Sequence, residues 1–291
     1  MNNSPINYPG AVVSAQWLAE HRHQPHIRIV DATVHLPDTG RDAKAEFLQE
    51  HIPGAGFFDL SVIANPNNPL PRKFPPKDIF IREVGKLGID NQTHVIAYDT
   101  PGLYSAARVW WLFRHYGYDN VSILDGGLKS WKAHGEAVEA GAVEFKSSQF
   151  HVNHERDLLA LWQHVLTISG SGDEQLLDAR TAGRFAGTEV DRYPGARPGH
   201  IPNSLNLYWA DLLNTNTREL LPINELRDRI TKSGIDLNKP VTLTCGSGLT
   251  ACILALGLHL LGKMIGRCMT VRGMNGVAEQ NYPWRQARKN R

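Results

Sequence analysis

Long apolar runs, cysteine and one-sided charge are what this 291-residue sequence has least of. No uninterrupted apolar stretch reaches the ~18 residues of a membrane span. The start, Met1-Asn2-Asn3-Ser4-Pro5, lacks the basic region and apolar core of a secretory leader, so the expected setting is the cytosol with no membrane partner. Lys and Arg number 31 against 29 Asp and Glu, which leaves no net field to draw the protein to nucleic acid. Only three cysteines occur, at 245, 252 and 268, an odd number too small for a disulfide framework and suited to a reducing compartment. The 13 histidines are scattered without metal-ligand spacing, so no metal and no cofactor is expected. What remains is a protein with ample core and a small-molecule partner.

The length suggests two domains, and an internal repeat supports that division. Ile27-Arg28-Ile29-Val30-Asp31-Ala32 matches Gln175-Leu176-Leu177-Asp178-Ala179-Arg180. Glu50-His51-Ile52-Pro53 matches Gly199-His200-Ile201-Pro202, and His94-Val95-Ile96-Ala97-Tyr98-Asp99 matches Pro240-Val241-Thr242-Leu243-Thr244-Cys245. The three landmarks recur in one order at offsets of 147, 149 and 146 residues. Short apolar runs such as Ile27 to Val30 and Val121 to Leu124 alternate with helical stretches such as Asp78 to Leu87 and Leu103 to His115. This βαβ alternation predicts an α/β fold, each half a mainly parallel sheet with helices on both faces. The mixed polar stretch from Glu136 to about His154 has no periodicity. It predicts an N-terminal domain over 10–138, a linker over 139–157 and a C-terminal domain over 158–286.

The chemistry is expected at Val241-Thr242-Leu243-Thr244-Cys245-Gly246-Ser247-Gly248-Leu249-Thr250-Ala251. A β-branched run ends in a cysteine, two glycines let the backbone curl, and Ala251 to Leu261 form an almost wholly apolar helix. A thiol placed there meets backbone N–H groups and the positive end of a helix dipole, which favour thiolate and so a nucleophile. The competing reading is a small buried hydrophobe. In the first half Asp99 holds the cysteine position, and an aspartate carries no transferable sulfur. That half is expected to be catalytically silent, with Asp99 as a second catalytic acid the lesser reading. Position 251, six residues after Cys245, is alanine where cysteine phosphatases need a phosphate-binding arginine, which argues against phosphate ester hydrolysis.

From about Val12 to Gln280 the sequence resembles the tandem-domain sulfurtransferases of the rhodanese superfamily, and within it the 3-mercaptopyruvate group. The likeness rests on the paired His-Ile-Pro segments, Gly56-Phe57-Phe58-Asp59, Ser105-Ala106-Ala107-Arg108-Val109-Trp110-Trp111, Asp125-Gly126-Gly127 and Cys245-Gly246-Ser247-Gly248-Leu249-Thr250. It implies two rhodanese-like domains and transfer of sulfur through a Cys245 persulfide to a thiol, of the thioredoxin type among others, or to cyanide. Thiosulfate enzymes of the family carry basic side chains at the positions of Gly246 and Ser247. A small dianion profits from fixed positive charge there, whereas mercaptopyruvate is a monoanion whose carboxylate lies away from its sulfur.

The resemblance also implies roles for single residues. Cys245 is the nucleophile, Ser247 orients the donor or relays a proton, and the backbone of Gly246, Gly248, Leu249 and Thr250 lines the loop. Asp59 is either a catalytic partner or a strand-end cap. Arg184, in Gly183-Arg184-Phe185, is expected to hold the donor's carboxylate. Arg192 is a second candidate, displaced by one place because Tyr193 holds the family's arginine position, and Arg197 is a weaker one. Arg72, in Arg72-Lys73-Phe74-Pro75, replaces the histidine of a His-Met-Leu-Pro segment, so a relay through that histidine is missing and Arg72 could bind an anion instead. Val271 to Ala278 replaces a segment richer in acid and aromatics, with Arg272 adding a cation. Arg180 is expected to tie the core loop through a carboxylate, and Cys252 to belong to the core, with a redox role the lesser reading. Two alternatives stand beside mercaptopyruvate: a thiosulfate enzyme of the same fold, and a non-catalytic sulfur carrier or interaction module.

Overall fold

The computed structural model describes residues 10–36, 39–67, 73–190, 198–263 and 267–269. Contacts divide the chain near Arg156 into two units, the first taking in Thr217–Glu219 and the second Asn67–Phe74 as well. Unit 1 runs β1 (Val12–Val13), α1 (Ala15–His21), β2 (Ile27–Asp31), α2 (Ala43–Gln49), β3 (Gly56–Phe57), α3 (Lys77–Lys86), β4 (His94–Tyr98), α4 (Ala106–His115), β5 (Val121–Leu124) and α5 (Gly127–Ala133). Unit 2 runs β6 (Leu159–Ala160), α6 (Trp162–Ser171), β7 (Gln175–Asp178), α7 (Ala182–Ala186), β8 (Ser204–Asn206), a 3-10 turn (Trp209–Leu212), α8 (Ile223–Lys232), β9 (Val241–Thr244), α9 (Ala251–Leu260) and β10 (Arg267–Met269).

Each unit holds one five-stranded, all-parallel sheet, ordered β1-β5-β4-β2-β3 and β6-β10-β9-β7-β8. The orders are the same once the strands of each unit are counted from its start, so the repeat in sequence is a repeat in topology. A central parallel strand is covered on both faces and therefore has no polar side to alternate. Every residue of β4 and β9 is buried, as that requires. Along unit 1, Ile27, Ile29, Ile96 and Tyr98 face one core with Leu18, Phe47 and Trp131 from α1, α2 and α5. In unit 2, Leu176 packs with Val165 and Ile168 of α6. Gly257 of α9 lies against Leu212 and Ile230, where an added Cβ would come within 3.0 Å of Leu212 Cδ1.

Two local departures from the sequence expectation have physical causes. The helix expected from Leu103 begins only at Ala106, because Leu103 takes φ 65° in the loop after Asp99. The polar stretch around Ser148 is strapped onto unit 1. Ser148 N–H donates to Gly85 O at 2.9 Å, and Asn91 exchanges two hydrogen bonds with the His151 backbone. Phe150 meets Phe80, Phe113 and Tyr118 edge-on at 5.2–5.9 Å between centroids. A Cβ at Gly85 would sit 2.6 Å from Ser148 O, so only glycine lets the strap lie down there.

The two units treat the aspartate that ends their second strand differently. Asp178 has Arg180 at 2.8 Å, whereas Asp31 is 2 % exposed and has Thr33 in the arginine's place. Burial pushes the Asp31 carboxyl up to about 6, against hydrogen bonds from Thr33 and Tyr98 that pull the other way. A folded-state value above the ordinary one means that folding favours the neutral acid. That stabilisation is complete below about pH 4 and is lost as pH rises through about 6, a change of about 3 kcal/mol. Asp31→Asn should flatten this fall, as followed by urea unfolding across the range; an unchanged slope would show that Asp31 does not cause it.

Candidate active site

Strand β9 lies between β7 and β10, and its last residue, Thr244, accepts from Ala179 N–H at 2.8 Å. Beyond that point the chain leaves the sheet at the carboxyl ends of the strands, where open α/β folds place their ligands. Cys245 is the first residue outside the ladder and is 1 % exposed. The chain then curls through Gly248 at φ 86°, which favours glycine. Gly248 N–H donates to Cys245 Sγ at 3.0 Å. Ser247 and Leu249 are buried, while Gly246 and Thr250 are half-buried.

Helix α9 follows at once, with Thr250 in the N-cap position and no side-chain capping bond. Its residues Ala251 to Leu258 are all buried, so the helix is clamped and its N-terminal dipole is fixed relative to the loop. From Gly246 to Thr250 the loop has no charged side chain. Its positive field therefore comes from backbone alone. Such a site can hold a sulfur anion away from water and offer it to a small electrophile.

A second layer fixes the neighbouring strand end. Arg180 forks onto both oxygens of Asp178, with Nε at 3.0 and 3.1 Å and Nη2 at 2.8 Å, and also donates to Gly199 O at 2.8 Å. Burial pushes the Asp178 carboxyl up; Arg180, and Arg184 beyond it, hold it back. Asp178 pairs in register with Thr244, the residue before Cys245, so Arg184 acts at the same edge of the sheet as the loop. Arg184 lies on the short helix α7, whose Thr181 cap accepts from Arg184 N–H at 3.3 Å. His200 stacks on Phe185 at 3.9 Å and bonds its carbonyl at 2.9 Å.

The structure thus brings together Cys245, Gly246, Ser247, Gly248, Leu249 and Thr250 as one loop, with Arg184 at the adjoining strand end. Asp59 lies in unit 1, where its Oδ1 accepts from Ser61 and Val62 N–H at 2.8 and 3.3 Å, the geometry of a cap. Arg72, Arg192, Arg197 and Arg272 lie outside the described residues. One contact went unread in the sequence. Cys252 Sγ donates to Gly248 O at 3.2 Å, and the four-residue spacing between the two was the available signal. Among the described residues no group of three or more His, Cys, Asp or Glu could hold a metal, and no helix is long and apolar enough to cross a membrane.

Comparison with known proteins bears on this site. Residues 14–134 and 162–272 each match the family model described as a rhodanese-like domain. The chain is 39 % identical to the 3-mercaptopyruvate sulfurtransferase of Homo sapiens over 259 residues, 87 % of each chain. It is 38 % identical to the thiosulfate sulfurtransferase of Gallus gallus, over 87 % of this chain and 88 % of that one. The crystal structure of SseA from Escherichia coli, a 3-mercaptopyruvate sulfurtransferase, superposes with a TM-score of 0.82 at 36 % identity, covering 90 % of this chain and 98 % of that one.

Removing Arg180 would leave Asp178 buried without its fork. Arg180→Ala is expected to destabilise unit 2 by about 3–5 kcal/mol, seen as a lower urea midpoint. A midpoint shift under about 1 kcal/mol would mean that the pair is not what holds this strand end.

Proposed function

The chain belongs to the rhodanese family of sulfurtransferases, and from that premise we propose that it takes sulfur from 3-mercaptopyruvate on Cys245 and passes it to a thiol or to cyanide. Relatives of both donor classes match at almost the same identity, so overall likeness does not choose between them. The observation that carries the choice is the uncharged loop of Gly246 and Ser247 around Cys245. A backbone cradle supports a sulfur atom with little formal charge, while the donor's carboxylate is met elsewhere by Arg184.

In the first step Cys245 thiolate attacks the mercapto sulfur. The new S–S bond forms as the donor's C–S bond breaks, and the released electron pair goes to carbon as the enolate of pyruvate, which is then protonated. The donor's thiol proton stays on the outer sulfur or is relayed by Ser247. Gly248 N–H stabilises the thiolate before the step and the inner persulfide sulfur after it. In the second step an acceptor thiolate or cyanide attacks the outer sulfur, the S–S bond breaks, and Cys245 thiolate returns. A dithiol protein of the thioredoxin type suits the acceptor role in a reducing, cytosolic setting, which the three free cysteines support. Unit 1, with Asp99 at the nucleophile's place, takes no sulfur. The two caps on Asp59 support a structural role for that residue.

Cys245→Ser should abolish pyruvate release, and mass spectrometry of the donor-treated wild type should find one added sulfur atom on the Cys245 peptide. Full release by the serine variant would refute the mechanism, and sulfur uptake without turnover would make the protein a carrier. Steady-state rates should give a higher kcat/KM with 3-mercaptopyruvate than with thiosulfate. Gly246→Arg combined with Ser247→Lys is expected to move that ratio toward thiosulfate by about tenfold or more. Arg184→Gln should raise KM for mercaptopyruvate by about tenfold with a smaller effect on thiosulfate.

A further inference from the structure

Sulfur holds Gly248 from two sides. Its N–H points to Cys245 Sγ at 3.0 Å, and its C=O receives Cys252 Sγ–H at 3.2 Å. These groups belong to the two peptide units joined at the Gly248 Cα, and glycine offers the least resistance to their rotation about it. Regular helix geometry would satisfy the Gly248 carbonyl with the N–H of Cys252, four residues on. That N–H goes instead to Leu249 O at 3.1 Å, and the thiol takes the carbonyl in its place. A thiol is a weak donor, but Cys252 is fully buried, so a carbonyl left unmet there would lose its partner without gaining water.

The matching loop of unit 1 shows what happens when the nucleophile is absent. Asp99, Gly102 and Ala106 stand 146 positions before Cys245, Gly248 and Cys252. There Gly102 N–H reaches Asp99 as Gly248 N–H reaches Cys245, and the carboxylate also accepts from Ser105 N–H at 2.6 Å and Ala106 N–H at 2.8 Å, which fastens the loop to the helix start without a side chain at 106. With that anchor in place, position 106 needs no donor, and it has none. In unit 2, among the described residues, Gly248 N–H is the backbone donor on the Cys245 sulfur, and the loop gains its second anchor from the helix side.

We infer that Cys252 is a positioning residue for Cys245: its thiol fixes the Gly248 carbonyl and thereby aims the Gly248 N–H at the catalytic sulfur. The role requires Cys252 to keep its proton, so it is a donor and not a second nucleophile. The inference rests on Cys245 being the nucleophile, and its test does not depend on which sulfur donor the protein uses. In the full-length protein, Cys252→Ala and Cys252→Ser are compared with wild type by the pH profile of iodoacetamide alkylation at Cys245, followed on its own peptide by mass spectrometry. Cys252→Ala should slow alkylation at neutral pH by about threefold and move the profile to higher pH. Cys252→Ser, which retains a hydroxyl donor, should restore most of both. Single-turnover formation of the Cys245 persulfide should follow the same order with donor KM unchanged. Thermal melting separates this from a loss of fold, since a packing role would track side-chain size and affect both variants alike. The inference is overturned if the alanine variant alkylates like wild type, or if serine fails to restore what alanine loses. A wild type that alkylates normally but accepts no sulfur would instead sink the functional reading and leave the alkylation comparison standing.

Discussion

The Cys245 sulfur lies buried in a tight loop, and the proposed reaction asks it to carry charge there, where the fixed dipole seen beside it is backbone. The Gly248 N–H at 3.0 Å from Cys245 Sγ is the point on which the surrounding architecture converges. It can be aimed only because β9 is gripped by strands on both sides and α9 is buried on all of its faces. The Arg180 fork onto Asp178 secures the next strand end, so the loop springs from a rigid edge. A site built this way needs no reorganisation when charge develops, which is how preorganised donors lower barriers.

The two units solve one local problem with different chemistry. Each has a polar group at the end of its central strand, over the start of a helix. In unit 2 the group is a thiol with a backbone donor. In unit 1 it is Asp99, fully buried, whose Oδ2 takes two backbone N–H groups while its Oδ1 has no partner among the described residues. Burial pushes the Asp99 carboxyl up, as expected of an acid removed from water with only part of its capacity met. Burial raises neighbouring Asp31 as well, against the hydrogen bonds from Thr33 and Tyr98. The matching scaffold therefore tolerates a buried carboxyl where its counterpart presents a thiol.

Much of this was legible because it is written in local signals. The repeat of strand-ending landmarks at Asp31 and Asp178, and at Asp99 and Cys245, foretold two α/β units, each with a mainly parallel sheet, and the structure adds that the two sheets share one strand order. The loop could be read because a β-branched run, two glycines and an apolar helix occur in immediate succession. Contacts between residues distant in sequence leave no such trace. The strap at Ser148 is visible only as polar, aperiodic chain, and its seat on Gly85 depends on a helix 63 residues away. The delayed start of α4 follows from a left-handed Leu103, which periodicity cannot report. Cys252 reads as one more core residue, because its side-chain hydrogen bond lies inside a buried, mostly apolar helix.

Strand order also governs how such a chain can be made. In each sheet the first strand pairs with the last: β1 with β5 through Val12 and Ile123, and β6 with β10 through Leu159 and Cys268. During synthesis the first sheet can close once residue 124 has left the ribosome, well before the second half exists. The second sheet waits in the same way, because β10 is the wedge between β6 and β9 as β5 is between β1 and β4, and it arrives only with residues 267–269. Until then both neighbours present bare edges, the state most open to wrong pairing. Cys245, on the loop after β9, is thus made before the strand that completes its own sheet.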